Sequence, residues 1–209
     1  MNFLALSSSR GTTFQATLDR IADGSLKSKC IGLITDSPDR GCIQKAKAAN
    51  IPVVIVDKKP DEPREDFDKR LQQAILQLCT QPKTKNLKPE TGAIVACMGW
   101  LWILSPWFIR QFPNRILNVH PALLPKYGGK GMFGHHVHDA VLAAKEKESG
   151  ITIHLMDEGV DTGKILLQKS CPVLPDDTAA TLQARVQELE KKYYPKLLQM
   201  IDEGSVNLE

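Results

Sequence analysis

Short runs of apolar, often β-branched residues recur along the chain. Each is followed by a longer stretch in which apolar positions return every three or four residues. Asn2–Leu6, Cys30–Thr35, Pro52–Val56, Ala93–Met98 and Ile116–His120 read as strands. Thr13–Ala22, Cys42–Ala49, Pro63–Cys79 and Pro106–Phe112 read as the helices between them. In the third of these helices Phe67, Leu71, Ile75 and Leu78 fall at helical spacing and predict a buried face. Strands alternating with helices imply an α/β fold, a Rossmann-like and mostly parallel sheet with helices on both faces. In such a sheet the strand C-termini share one edge, and ligands bind there.

The pattern changes after His120. Pro121 to Gly134 holds two prolines and four glycines, too irregular for a helix or strand. A short helix is expected near Val137–Ala144, then strands at Ile151–Met156 and Ile165–Val173 around a turn. A long closing helix follows, about Thr178–Ile201, with Asp176 or Asp177 as its expected N-cap. Gln81–Thr91 is polar, with two prolines and three lysines, and reads as an exposed loop. The chain thus reads as one domain over residues 1–209, with a nucleotide-binding half at 1–120 and a catalytic half at 121–209.

Composition narrows the class without adding to the fold. The 209 residues are 42% hydrophobic and 24% charged, the balance of a soluble globular protein. A net charge of +3 spread along the chain gives no footprint for nucleic acid. No run reaches the ~18 apolar residues of a membrane helix, and the N-terminus reads as a strand, not a signal peptide. Five cysteines without a CxxC pair read as reduced thiols of a cytoplasmic protein, and no metal is expected.

Three segments could carry chemistry. Ser7 to Thr13 joins the first strand to the first helix, where free backbone N–H groups favour an anion such as phosphate. An ordinary N-cap by Thr12 or Thr13 explains the same residues. In Asn118-Val119-His120-Pro121, alternation puts the amide and the imidazole on one face at a strand end. That pair suits acyl transfer: the amide can donate to an oxyanion and the imidazole can move a proton. In Met156 to Gly163 three acids sit in a tight turn. Most carboxylates in such turns bond their own backbone, and spacing does not choose which of Asp157, Glu158 and Asp161 meets an imidazole.

Two further clusters read more plainly. His135, His136 and His138 match no standard metal spacing and show no acidic partner. Gly128, Gly129, Gly131 and Gly134 suggest positive φ or close backbone approach. The run Trp100 to Leu104 reads first as core, and second as the wall of an aromatic-binding slot.

Taken together, Asn118-Val119-His120-Pro121-Ala122-Leu123-Leu124-Pro125 and Asp157-Glu158-Gly159-Val160-Asp161-Thr162-Gly163 resemble the paired motifs of the folate-dependent formyltransferases. The likeness spans nearly the whole chain and is nearest to the branch acting on glycinamide ribonucleotide. It implies 10-formyltetrahydrofolate as formyl donor and glycinamide ribonucleotide as acceptor, with no metal, in a monomer or homodimer. It matches Asn118, His120 and Asp161 to the catalytic trio, and it is the resemblance that selects Asp161. Gly11, Thr12 and Thr13 match the phosphate segment, and Gln187 and Glu190 the ribonucleotide-contacting helix. Leu101, Trp102, Ile103 and Leu104 match the folate wall. Asn118 and Asp157, Glu158, Gly159, Val160 and Asp161 match further folate contacts, with Arg64 on the folate side.

The match has departures. Arg10 and Thr13 interrupt a loop that the family keeps more glycine-rich, and Trp102 stands where an arginine is common. A formyltetrahydrofolate hydrolase or a sugar-nucleotide N-formyltransferase shares the trio, and a non-catalytic nucleotide-binding module shares the first loop. A first strand at Asn2 and an end soon after the last helix favour the single-domain enzyme.

Overall fold

The computed structural model describes residues 1–80 and 93–209, so the loop expected at Gln81–Thr91 lies outside the described residues. The element order is β1 (Asn2–Leu6), α1 (Thr12–Ala22), β2 (Lys29–Thr35), α2 (Cys42–Ala48), β3 (Val53–Ile55), α3 (Arg64–Cys79) and β4 (Ala93–Cys97). It continues with α4 (Pro106–Gln111), β5 (Ile116–His120), α5 (His135–Ala143), β6 (Glu148–Leu155), β7 (Ile165–Pro172) and α6 (Ala179–Asp202). The seven strands form one sheet in the order β3-β2-β1-β4-β5-β6-β7. The first five are parallel. β5 pairs with β6, and β6 with β7, in antiparallel register. The expected α/β fold, with C-terminal strands and a long closing helix, is the observed one.

Alternation along β1 divides the core into two layers. Phe3 and Ala5 pack with Phe14, Leu18, Leu182, Val186 and Leu197 on the face covered by α1 and α6. Leu4 and Leu6 pack with Phe67, Leu71, Ile75 and Phe108 on the face covered by α3 and α4. Each such large side chain, fully withdrawn from water, contributes roughly 1.5–3 kcal/mol before entropy is counted. The predicted apolar stripe of α3 is therefore real: Phe67, Leu71, Ile75 and Leu78 are all buried. On the first face, the Tyr194 hydroxyl of α6 reaches through to the Leu117 carbonyl of β5 at 3.3 Å, tying the closing helix to the sheet.

Two helix starts differ from expectation. Neither Thr12 nor Thr13 caps α1. The N-cap is Gly11, at φ 75° and ψ 39°, and it makes no side-chain bond. A Cβ there would lie 2.8 Å from Cys42 Cβ, so the loop needs glycine both for its left-handed backbone and for the closeness of α2. At α6 the N-cap is Thr178, not Asp176 or Asp177, in a capping box with Thr181. Asp177 is engaged instead by the Arg185 guanidinium, one of whose bonds is 2.9 Å.

The sheet places the site. Because β1, β4 and β5 are parallel, the chain leaves all three at one edge, at Ser7, Met98 and His120. β1 and β4 are neighbours although β2 and β3 lie between them in sequence, so the strand order reverses at this point. Parallel α/β sheets open a crevice where their order reverses.

Candidate active site

A cavity of about 370 Å³ opens at that edge. Its walls come from the loop after β1 (Ser8, Ser9, Arg10, Thr12, Thr13), the loop after β4 (Trp100 to Leu104), the end of β5 (Asn118, His120), the turn after β6 (Gly159, Val160, Asp161) and α6 (Gln187, Glu190). Five segments far apart in sequence thus converge. Of the catalytic and binding residues that the resemblance assigned, Gly11, Arg64, Asp157 and Glu158 do not line it.

The centre is a network around one carboxylate. Asp161 Oδ2 lies 3.4 Å from His120 Nδ1, and Oδ1 lies 3.6 Å from His154 Nε2. The Gly129 N–H donates to Oδ2 at 3.0 Å. Gly129 does so at φ 94°, a backbone that β-branched and bulky residues avoid. Gly131 and Gly134 also have positive φ, in line with the sequence reading. Burial raises the Asp161 pKa, but His154, His120 and the Gly129 N–H outweigh it, and the carboxyl stays below its ordinary 3.8.

The three acids of the turn separate cleanly. Asp157 bonds its own turn, accepting from Gly159 N at 3.1 Å and Thr162 Oγ1 at 2.7 Å. Glu158 pairs with Arg110 at 3.0 Å on the surface. Only Asp161 meets an imidazole, so geometry reaches the same residue that the resemblance selected.

His120 is 3% exposed. Its Nε2 lies 2.7 Å from the Tyr127 carbonyl, so that nitrogen carries a proton and donates it. Burial pulls the His120 pKa down, and the pull of Asp161 and the Tyr127 carbonyl does not restore it. Burial thus favours the neutral ring, and the Tyr127 contact places its proton on Nε2.

His154 was not singled out from sequence. It stands opposite Asn118 in the β5–β6 register, as Thr152 stands opposite His120. His154 Nδ1 donates to the Leu155 carbonyl at 3.0 Å. Its Nε2 lies 3.3 Å from Asn118 Nδ2. This fixes the amide and leaves its other N–H for the cavity. Thr152 holds the loop after β5: its hydroxyl donates to the Ala122 carbonyl at 2.7 Å and accepts from Leu124 N at 3.0 Å. An interior histidine facing a polar residue of the neighbouring strand was the available signal for His154.

The far corner lies between α1 and α6. Thr13 Oγ1 donates to Glu190 Oε2 at 2.9 Å. Burial pushes the Glu190 carboxyl up to about 7, against the opposing pull of the Thr13 hydroxyl and the charge of Lys191. Ser9 Oγ accepts from Gly11 N at 3.0 Å and holds the loop. Ser8 Oγ is buried without a partner. Since α1 has no side-chain cap, its first-turn N–H groups remain available to an anion.

The wall after β4 departs from the core reading. Leu101, Trp102 and Ile103 are 49%, 39% and 38% exposed, and only Leu104 is buried. Trp102 is held in place by its indole N–H, which donates to Asp36 Oδ2 at 2.8 Å, and by an edge contact with Phe67. Trp100 stacks on Phe67 at 6.2 Å, and its buried Nε1 has no partner. Exposed apolar side chains beside an unpartnered donor form a slot for a flat ligand with a polar edge. His138 lines the same cavity, whereas exposed His135 and His136 do not. Asp139 is the acidic neighbour that spacing did not reveal: its carboxylate and the two exposed rings bring ligating atoms within 4.8 Å.

A strand-end amide and imidazole facing a carboxylate, in a crevice with a phosphate-ready helix start, define an acyl-transfer class of site. Residues 1–198 match the family described as formyl transferase, and the chain belongs to that family.

Its relatives narrow the likeness. It is 35% identical over 96% of its length to the trifunctional purine biosynthetic protein adenosine-3 of Drosophila melanogaster, of which it covers 14%. It superposes on phosphoribosylglycinamide formyltransferase from Brucella melitensis with TM-score 0.80 and 32% identity, over 96% of this chain and 94% of that one. Glycinamide ribonucleotide transformylase 1 from Symbiobacterium toebii superposes with TM-score 0.87 and 28% identity, over 100% and 91% of the two chains. Among curated fly and plant relatives, the chain spans between 14% and 63% of their length.

Proposed function

We propose that this protein transfers the formyl group of 10-formyltetrahydrofolate to the amine of glycinamide ribonucleotide, a step of purine biosynthesis. The observation that carries the reading is the Asn118–His120–Asp161 network at one end of a cavity whose other end is the α1 start. Relatives named for this activity align along nearly the whole chain. The residues fit the two substrates. The Leu101–Ile103 wall and Trp100 Nε1 suit a pterin ring, and the Ser8–Thr13 loop with Gln187 and Glu190 suits a ribonucleotide phosphate and sugar.

In this reading the amine attacks the formyl carbon and negative charge grows on the formyl oxygen. The free N–H of Asn118, aimed by His154, donates to that oxygen. The proton leaving the amine passes to the His120–Asp161 pair, through water where the distance requires it. Ionised Asp161 stabilises the imidazolium that forms, and the imidazolium in turn stabilises the oxyanion. As the intermediate collapses, the bond from the formyl carbon to the folate nitrogen breaks, that nitrogen takes the proton from the imidazolium, and tetrahydrofolate leaves. Fixed donors and charges of this kind usually supply the largest part of a catalysed rate. Holding both substrates in one cavity supplies another large part. No step calls on a metal. Cys30, Cys42, Cys97 and Cys171 are free thiols, which suits a reducing cytoplasm.

The test is a transfer assay with the folate donor and three acceptors: glycinamide ribonucleotide, a sugar nucleotide and water. Transfer to the ribonucleotide, lost in His120→Ala, is expected. Release to water alone would make the protein a hydrolase, and no turnover with any acceptor would leave only a binding module.

A further inference from the structure

The contact that sets the His120 proton comes from a backbone under strain. Tyr127 has φ 57°, the left-handed region that a bulky side chain rarely enters. That turn points its carbonyl at His120 Nε2, 2.7 Å away. The other end of the same residue is pinned. The Tyr127 hydroxyl donates to Glu146 Oε1 at 2.9 Å, and Lys126 Nζ lies 2.8 Å from the same oxygen. Just before them, Thr152 and Gln168 hold the Ala122 and Leu124 carbonyls at 2.7 and 2.8 Å. The segment is thus fixed ahead of, and at, one strained residue whose carbonyl touches the candidate catalytic ring. Strain kept in place by surrounding contacts is a recurring feature of functional sites.

We infer that Tyr127 is a positioning residue: its left-handed backbone, anchored by Glu146, orients the His120 ring so that Nε2 holds the proton and Nδ1 faces Asp161. The inference deepens the formyl-transfer reading, but its first consequence is visible without turnover. A ring free of the Tyr127 carbonyl can flip or change tautomer. In either case the Nδ1 lone pair no longer stands ready beside Asp161 for an incoming proton. The carbonyl also favours the charged ring, so its loss lowers the His120 pKa further.

The backbone and the side chain can be tested apart. Asn tolerates left-handed φ whereas β-branched Val does not. Nitrogen NMR of the His120 ring, titrated over pH, reads tautomer and protonation directly. The parent protein is expected to show one Nε2–H tautomer. Tyr127→Asn, which tolerates the turn but loses the anchor, should move part of the way, and Tyr127→Val should show mixed tautomers and a lower midpoint. In the transfer assay, Tyr127→Val should lose about 10–100-fold in kcat, with KM for both substrates kept. Tyr127→Asn should stay within a few-fold of the parent. Tyr127→Phe and Glu146→Gln, which disturb only the anchor, should fall between the parent and Tyr127→Val, and they carry the test if the Val variant does not fold. Identical ring spectra in the parent, Tyr127→Phe and Glu146→Gln would overturn the inference, whatever the transfer assay shows. A parent protein with the single tautomer but no transfer would sink the formyl-transfer reading and leave the positioning intact.

Discussion

Two carboxyl groups face the same cavity, and their acidities are shifted in opposite directions. Asp161 is surrounded by two imidazoles and a backbone N–H, and it stays ionised. Glu190 has a single threonine hydroxyl, and burial pushes it up to about 7. Both are drawn from water to a large degree, so desolvation alone does not decide the outcome. The groups that face each carboxyl do. The difference divides the cavity by task. A permanent negative charge belongs where a proton must be received and an imidazolium stabilised. In the proposed reaction, a carboxyl that carries its proton part of the time suits the end that admits the phosphorylated, already anionic acceptor, because it repels that acceptor less.

If the division is real, replacing each acid should damage a different kinetic constant. The largest effect is expected from Asp161→Asn, which keeps the shape and removes the charge. It should lower kcat by about a thousandfold or more and leave KM for the acceptor near its original value, as steady-state kinetics would show. Next comes His154→Leu, which frees the Asn118 amide. A loss of about 10–100-fold in kcat is expected, with the circular dichroism of the parent retained. Equal damage to KM in either variant would erase the distinction between the two ends.

Glu190→Gln should act in the opposite sense. The expected result is a rise of about tenfold in KM for the acceptor, from one altered hydrogen-bonding group, with kcat little changed. Its stability has a definite sign. The folded carboxyl titrates near 7 and the ordinary value is 4.5, so between them the folded state holds a proton that the unfolded chain has released. Glu190 therefore costs least below about pH 4.5, and its cost grows as pH rises towards 7. Asp161 is reversed: its contribution is present above its ordinary 3.8 and is lost as pH falls through its depressed folded value. Thermal melts of Glu190→Gln against the parent should diverge in favour of the variant from pH 4.5 to 7. A constant difference across that range would show that Glu190 is ionised throughout. The smallest effect is expected at the slot wall. Trp102→Ala should raise KM for the folate about threefold to tenfold, the worth of one aromatic contact.

The parallel half was the more legible in sequence, for a physical reason. Strands buried on both faces must be continuous apolar runs, and the helices covering them must repeat their apolar residues every three or four positions. β1 and β5 consequently appear at the bounds expected from the pattern alone. Asn118 and His120 were legible as a same-face pair because a strand alternates strictly. What was hidden depends on contacts distant in the chain or made by backbone. Asp161 is distinguished from Asp157 and Glu158 only by what lies across the sheet. Tyr127 and Gly129 act through a carbonyl and an N–H that every residue possesses. Thr178 caps α6 because Asp177 is taken by an arginine further along the helix. The apolar run at Leu101–Ile103 looked like core because exposure at a cavity wall leaves no mark on the pattern.

The account stands most directly on kcat and KM for formyl transfer to glycinamide ribonucleotide, measured side by side for the parent, Asp161→Asn and Glu190→Gln. It predicts that the first replacement removes turnover and spares acceptor binding, while the second weakens binding and spares turnover. Asp161→Asn with near-parental kcat, or both variants failing in the same constant, would contradict it.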